Sequence, residues 1–414
     1  MREASLNKKE ESSLDKIRYA GPKYEENEYE VMMDAIFNNS GGKYTIEAEE
    51  LLRNMMKRQY GVLTNSGSSS NLLLMAAAKE LYFKDGDKIL TLACGFPTTV
   101  NPIIQNGLIP VFVDIDIRTL NLNPEILENA LKKDTKIKGI FVAHTLGFKS
   151  NIKEILNIAR KYDIEVFFDC CDAYGTLYDG EPIASYGKAS TYSFFVAHHV
   201  SMGEGGGITT NDNDLFTIIR GMRNGKYCAS PKCCIRAENP ELFCPATKFT
   251  KNSLVPEDFP AGYQFELGYN LKPLELQSAM LTVQLKRLEE FNKMRKDNYK
   301  YLYDRFNSLN YNYEREIDEE VSPFAFPFMI PVSAPFKRKH LIDYLKLSKI
   351  ESRVLFGGNL TKHPAFVKNK DKFEICGTLY NSDDIMNRLM IIGVSPVSNN
   401  LEKVIETITE FERK

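Results

Sequence analysis

From residue 60 to about residue 223, short apolar runs alternate with stretches whose apolar positions recur every three or four residues. Val62-Leu63-Thr64 is strand-like and leads through Ser66-Gly67-Ser68-Ser69-Ser70 into a helical run from Asn71 to Leu81. Asp85-Gly86-Asp87 is a turn, Lys88 to Ala93 predicts a strand, and Pro97 to Gln105 predicts a helix. Ile109 to Ile115 predicts the next strand. Asn123-Pro124 opens a helix with proline at its first position, where the missing N–H has no intrahelical partner to lose. Ile137 to Ala143 and Ile164 to Phe168 read as strands on either side of a helix from Ser150 to Tyr162, with Ser150 as its cap. Strands alternating with helices of this length predict the α/β class, a mostly parallel sheet covered on both faces.

Beyond Leu271 the rhythm changes. Leu274 to Phe306 reads as one long, charge-rich helix. Strand-like Phe326 to Val332, a helix from Arg338 to Lys346, a strand near Ser352 to Phe356 and a last helix from Leu401 to Arg413 follow. The pattern predicts a large domain over residues 1–285 and a smaller α+β domain over residues 286–414. A Cys-, Pro- and Lys-rich insertion without periodicity, residues 226–262, interrupts the first; loops of that length are usually functional.

A chain of 414 residues is long enough for this two-part organisation. A formal net charge of -2 gives no basic surplus for a polyanion, so no nucleic-acid partner is expected. No apolar run approaches the roughly 18 residues of a membrane span. Met1 to Lys16 is polar and lacks the apolar centre of a secretory signal, so the cytoplasm is the expected compartment. There the eight cysteines should stay reduced, and clusters of them point to metal or redox chemistry.

Three stretches carry candidate chemistry. Ser66-Gly67-Ser68-Ser69-Ser70 stands between a strand and a helix, where backbone N–H groups and small hydroxyls form a phosphate cradle; the same composition also makes ordinary turns. Asp169 follows the apolar strand Ile164 to Phe168. A carboxylate at such a strand end faces the ligand crevice and can pair with a protonated pyridine nitrogen; a turn cap is the other reading. From Ser193 to Gly206 an apolar strand runs into two adjacent histidines, His198 and His199, and a glycine-rich turn. Only five histidines occur in the chain, and such a pair is either structural or catalytic.

Together and in this order, Ser66-Gly67-Ser68, Gly95-Phe96-Pro97-Thr98-Thr99, Phe112 to Asp116, Asp169, Ser193 to Gly206 and Leu267-Gly268-Tyr269-Asn270-Leu271 resemble the DegT/DnrJ/EryC/StrS family of vitamin-B6-dependent sugar aminotransferases. The resemblance runs from about Tyr24 to the C-terminus. It implies a PLP-dependent transferase fold of the aspartate-aminotransferase type (fold type I). It also implies that Gly67, Ser68, Ser69 and Ser193 hold a cofactor phosphate, that Phe96 stacks on the ring and that Asp169 meets the pyridine nitrogen. Asn270 would reach the phosphate from a neighbouring subunit, which implies a homodimer.

The aminotransferases of this family carry a cofactor-anchoring lysine where this chain has His198. Lys188 does not match the motif and reads as a surface lysine. The exchange marks the 3-dehydratase branch. Gly95 to Pro102, Gln105 to Val111, Ala197 to Gly206 and Phe356 to Thr361 are similar to its iron–sulfur members, which act on CDP-4-keto-6-deoxy-D-glucose in 3,6-dideoxyhexose and lipopolysaccharide O-antigen biosynthesis. Colitose-type dehydratases acting on GDP-4-keto-6-deoxymannose are the other subgroup. Imidazole cannot anchor the cofactor covalently, so the resemblance implies work as free pyridoxamine phosphate. With an ordinary pKa near ~6.5, a histidine accepts a proton at neutral pH. His198 is the implied base, and the C3 hydroxyl of a nucleotide-linked 4-keto sugar is the implied leaving group.

The iron–sulfur relatives draw one ligand from just after the aspartate and three from the insertion. On this chain that implies Cys171, Cys228, Cys233 (or Cys234) and Cys244 around a 2Fe-2S cluster fed by a ferredoxin- or flavin-type reductase. The Cys-x-Cys pair of those relatives is broken here by Cys228-Ala229-Ser230, and a zinc site or plain thiols remain open. Cys94 and Cys376 read as packed thiols. Arg353 and His199 are the expected substrate-side residues, and Tyr299 to Tyr303 reads as a packed helix face.

Overall fold

The computed structural model describes residues 16–38, 42–224, 267–307, 309, 311 and 315–413. The strands expected in the first half form as β1 (Tyr60–Thr64), β2 (Lys88–Leu92), β3 (Ile109–Val113), β4 (Ile137–Ala143) and β5 (Glu165–Asp169). A two-strand hairpin, β6 (Leu177–Tyr178) and β7 (Glu181–Pro182), precedes β8 (Ala189–Ser193) and β9 (Gly206–Thr210). From the C-terminal part come β10 (Ala325–Met329), β11 (Ser352–Val354), β12 (Glu374–Ile375) and β13 (Leu389–Gly393). The large sheet has the order β1-β9-β8-β5-β4-β2-β3-β12, and the small one β10-β13-β11. Within the large sheet β9 alone runs antiparallel to its neighbours.

The strands of the large sheet read as continuous apolar runs because both faces are covered. Alternation sends Ile89, Phe141 and Phe167 to one face, against Leu73, Leu74 and Ala77 of the helix Gly67–Tyr82. Leu90, Ile140, Val142 and Phe168 go to the other, with Leu127, Ile155 and Ile158 of the helices Pro124–Lys133 and Ile152–Lys161.

Three local expectations change. The helix expected to be capped by Ser150 starts one residue later, where Asn151 accepts from the Glu154 N–H (3.3 Å); Ser150 is buried instead. The long helix is two, Glu275–Lys286 and Leu288–Phe306, broken at Arg287 (φ -100°, ψ 4°). At the break the Arg287 guanidinium meets Glu25 (2.6 Å), Glu28 (3.1 Å) and Glu290 (3.0 Å), and Glu28 is buried. Two pairings cross the boundary expected at residue 286: β12 adds to β3 of the large sheet, and Ile17 bridges Ile350.

His144, just after β4, is fully buried with its ring 4.6 Å from that of Phe168, and neither ring nitrogen has a hydrogen-bond partner among the described residues. Burial pushes its pKa down to about 3 from 6.5. The unfolded chain therefore binds a proton here that the folded chain refuses, and stability falls as pH drops from 6.5 towards 3, by at most about 1.4 kcal/mol per pH unit. The urea midpoint of the apoprotein is expected to fall between pH 7 and pH 5, and His144→Phe to flatten that slope. An unchanged slope in the variant would contradict this.

Candidate active site

A cavity of about 550 Å³ lies at the carboxyl edge of the large sheet, between it and the small sheet. Ala143, Asp169 and Ser193, at the ends of β4, β5 and β8, face it from one side; Arg353, Val354 and Ile391 of β11 and β13 face it from the other. This is where open α/β sheets bind ligands.

Asp169 is 5% exposed and held by three donors. Asn71 Nδ2 and Thr99 Oγ1 each donate to Oδ2 at 2.8 Å, and the Cys171 N–H donates to Oδ1 at 3.0 Å. Thr191 Oγ1 donates to Asn71 Oδ1 (2.6 Å) and fixes which way that amide points. The carboxylate has no cationic side chain in ion-pair contact among the described residues, so it is oriented but not neutralised. A protonated ring nitrogen is the partner this arrangement suits.

Beside it the helix Gly67–Tyr82 points its N-terminus at the cavity. Ser66 caps the helix by accepting from the Ser69 N–H (3.0 Å). Gly67 and Ser68 line the cavity, whereas Ser69 is spent on the cap: its hydroxyl accepts from Ser66 Oγ at 2.9 Å. A Cβ on Gly67 would stand 2.6 Å from Ser193 Cβ, so only glycine lets the helix start and the end of β8 meet here. Phe96, half exposed, and Phe356 meet edge-on at 6.2 Å across the mouth. An oriented anionic floor, a part-exposed aromatic face and a glycine–serine helix start fit a phosphorylated pyridine cofactor. Asn270 is exposed and does not line the cavity of its own chain.

The two histidines part company. The turn after β8 is closed by Phe194 N–H to Gly205 O and Met202 N–H to Phe194 O, both 2.9 Å. His198 lines the cavity, packed against the Phe324 ring at 5.2 Å, with Nδ1 3.6 Å from Asp172 Oδ1. That separation is too long for a hydrogen bond but aims the nitrogen at the carboxylate. Burial, reinforced by the nearby Arg295 cation, pushes His198 down to about 3, so the imidazole is neutral. Burial and the Asp169 charge push Asp172 up to about 7. His199 corrects an expectation: it is 2% exposed, faces away from the cavity and places Nε2 3.1 Å from the Ser322 carbonyl. Adjacent residues of a tight turn diverge, and the segment before β10 takes the second ring. His199 therefore has no surface to offer a substrate.

Among the described residues no lysine lines the cavity. Lys188 sits at the opposite end of β8, paired with Glu165 (3.2 Å) and over the Tyr82 ring (4.9 Å). Arg353 does line the cavity, its guanidinium 5.5 Å from the centre of the Tyr19 ring. Cys171 lines it too, with its thiol pushed well up by burial and by the Asp169 and Asp172 carboxylates. Cys228, Cys233, Cys234 and Cys244 lie outside the described residues. Among the described residues no group of three or more His, Cys, Asp or Glu side chains is arranged to hold a metal. The described part of the chain thus supplies one of the four thiols a cluster needs, and no chemical step is derived from a cluster here.

Sequence reasoning missed Tyr19, Asn71, Asp172 and Arg295. Asp172 carried a signal, lying three residues after Asp169 in Asp-Cys-Cys-Asp. So did Arg295: Leu288, Phe291, Arg295, Tyr299, Leu302 and Phe306 form the buried stripe of one helix, and a charge on such a stripe is unusual.

The profile of the DegT/DnrJ/EryC1/StrS aminotransferase family matches residues 23–409. The lipopolysaccharide biosynthesis protein RfbH of Salmonella typhimurium is 38% identical over 400 residues, covering 93% of this chain and 89% of that protein. The dTDP-4-dehydro-2,6-dideoxy-D-glucose 3-dehydratase of Saccharopolyspora spinosa is 35% identical over 363 residues, covering 85% and 76%. The solved structure of GDP-4-keto-6-deoxy-D-mannose-3-dehydratase from E. coli with bound hydrated PLP superposes with a TM-score of 0.80, at 27% identity and 95% and 99% coverage. The fold is therefore the PLP-dependent, aminotransferase-like α/β fold. No described helix is long and apolar enough to cross a membrane.

Gly67→Ala is expected to weaken pyridoxamine phosphate binding by about 5- to 150-fold, the equivalent of the roughly 1–3 kcal/mol that overpacking costs. Fluorescence titration of the apoprotein would read this; unaltered affinity would show that the Gly67–Ser193 contact does not shape the cradle.

Proposed function

The chain belongs to the DegT/DnrJ/EryC1/StrS aminotransferase family, and from that premise we propose that it is a pyridoxamine-phosphate-dependent 3-dehydratase of a nucleotide-linked 4-keto-6-deoxyhexose. The observation that carries the reading is a histidine, and among the described residues no lysine, lining the cavity beside Asp169. Similarity to two proteins named as sugar-nucleotide 3-dehydratases supports the reaction class.

When bound, pyridoxamine phosphate supplies an amine that condenses with a ketone and a ring that takes up electrons. Asp169 would hold the ring nitrogen protonated, and Phe96 would cover the ring face. Gly67, Ser68 and Ser193 would receive the phosphate at the helix start, with Asn270 of a second copy completing it in a homodimer. Arg353 is the proposed contact to the sugar-nucleotide. Nδ1 of His198 is directed at Asp172, which leaves Nε2 as the atom that takes the proton. The same Nε2 returns that proton to the departing C3 oxygen, so that water leaves. A neutral imidazole in a cavity screened by Phe324 is the state in which this residue can begin.

The finer reading is CDP-4-keto-6-deoxy-D-glucose as substrate, in 3,6-dideoxyhexose biosynthesis in the cytoplasm. On that reading Cys171 would be one ligand of a 2Fe-2S cluster, which would supply electrons drawn from a separate reductase. The cluster-free reading, on a GDP-4-keto-6-deoxymannose substrate, is supported by the similarity to GDP-4-keto-6-deoxy-D-mannose 3-dehydratases.

Incubation with CDP- and GDP-4-keto-6-deoxyhexoses and pyridoxamine phosphate, read by mass spectrometry, is expected to show loss of the C3 hydroxyl. His198→Asn is expected to lower that rate by about 10²–10⁴-fold; full activity in the variant would remove His198 from the mechanism. Anaerobic purification with iron analysis and EPR of the reduced protein separates the two endings. About two irons per chain and a Cys171→Ser variant without them are expected for the first; protein free of iron with all its cysteines intact leaves the second.

A further inference from the structure

Arg295 is fully buried on the helix Leu288–Phe306, in a stripe otherwise made of large apolar and aromatic side chains. No carboxylate forms an ion pair with it among the described residues. Its partners are main-chain carbonyls: one terminal nitrogen donates to the His198 oxygen at 3.0 Å, the other to the Phe324 oxygen at 3.1 Å. Asp172 acts on Arg295 only through space, without ion-pair contact, and a buried charge that lacks a contacting counter-ion is costly. A methionine would fill the stripe without that cost, so the position calls for a reason beyond packing.

We infer that Arg295 is a positioning residue for the base: its guanidinium clamps the main chain at His198 to the main chain at Phe324, and so fixes how the His198 imidazole faces the cavity. The inference rests on the reading of His198 as the base. Three elements meet at the clamp: the turn after β8, the segment leading into β10, and the helix that carries Arg295. The Phe324 side chain returns from the clamped main chain to pack on the His198 ring at 5.2 Å, so that ring is held from its backbone and from its face. His199 ties the same two segments a second time through the Ser322 carbonyl. The planar fork of arginine reaches two diverging carbonyls from one side chain; the ammonium of lysine is a single point. Proton transfer needs the base within hydrogen-bond reach of the carbon-bound proton, and a 1 Å misplacement costs about 10²-fold. The two clamp hydrogen bonds go to neither Arg353 nor Asp169, the groups proposed to hold substrate and cofactor.

The test uses Arg295→Met and Arg295→Lys in the full-length protein. Arg295→Met is expected to lower kcat about 100-fold while the KM for sugar-nucleotide and the affinity for pyridoxamine phosphate stay within about threefold; Arg295→Lys is expected to recover part of the loss. The second readout needs no turnover. In the apoprotein labelled with ¹⁵N-histidine the chain has five histidines to resolve, and His198→Asn identifies the His198 signals. Those signals are expected to shift or broaden in Arg295→Met while His340 and His363 hold theirs. Wild-type kcat in Arg295→Met, or a lowered kcat with the His198 signals unmoved, would overturn the clamp. Should Arg295→Met fail to fold, Arg295→Lys decides by the same two readouts. If His198→Asn keeps full activity the base assignment fails on its own, and the labelled spectra still report whether Arg295 holds the ring.

Discussion

The site is organised around a carboxylate that the fold orients but does not neutralise. Asp169 stands at the end of a strand covered on both faces, and its three donors come from three different elements: the helix after β1, the helix after β2 and the turn after β5 itself. Neutral donors fix its direction and leave its charge for a cationic ring. Without that charge a bound pyridine ring would lose its electron-withdrawing character, and Phe96 and His198 line the same cavity beside it. The glycine–serine helix start, the tight approach of Gly67 to Ser193 and the aromatic mouth follow from where that ring must lie.

Beside this anchor the chain places the His198 imidazole on the cavity wall. A tethered aldehyde suits exchange of amino groups. A free amine facing a neutral base suits proton removal followed by loss of a neighbouring hydroxyl. On the proposed reading the second arrangement is built by costly means: His198 is largely buried and Asp172 buried, Arg295 is a buried cation hydrogen-bonded to two main-chain carbonyls, and His199 is held by the Ser322 carbonyl. Such a concentration of desolvated polar groups lowers stability and is kept where function needs it.

The alternating pattern of strands and helices made the large sheet legible, because burial on both faces writes continuous apolar runs into β2, β4 and β5. That Gly67, Ser68, Phe96, Asp169, Ser193 and His198 gather at one place was also legible, and all of them line the cavity, at a strand end, a helix start or the turn after β8. What failed was decided by tertiary contact. The break at Arg287 depends on Glu25 and Glu28, over 250 residues away in sequence. The divergence of His198 from His199 depends on Ser322 and Phe324, which nothing local announces. Tyr19 reaches the cavity because the N-terminal segment pairs with Ile350. Arg295 was hidden for a simpler reason: a charge-rich helix conceals the one charge that faces inward.

The claim on which the rest stands is that no side chain holds the cofactor covalently. Its most direct measurement is borohydride reduction of the protein saturated with pyridoxal phosphate, followed by intact-mass and peptide mass spectrometry. The account expects an unchanged protein mass, in wild type and in Lys188→Ala alike. A reduced pyridoxyl group found on any lysine of the wild-type chain would contradict it.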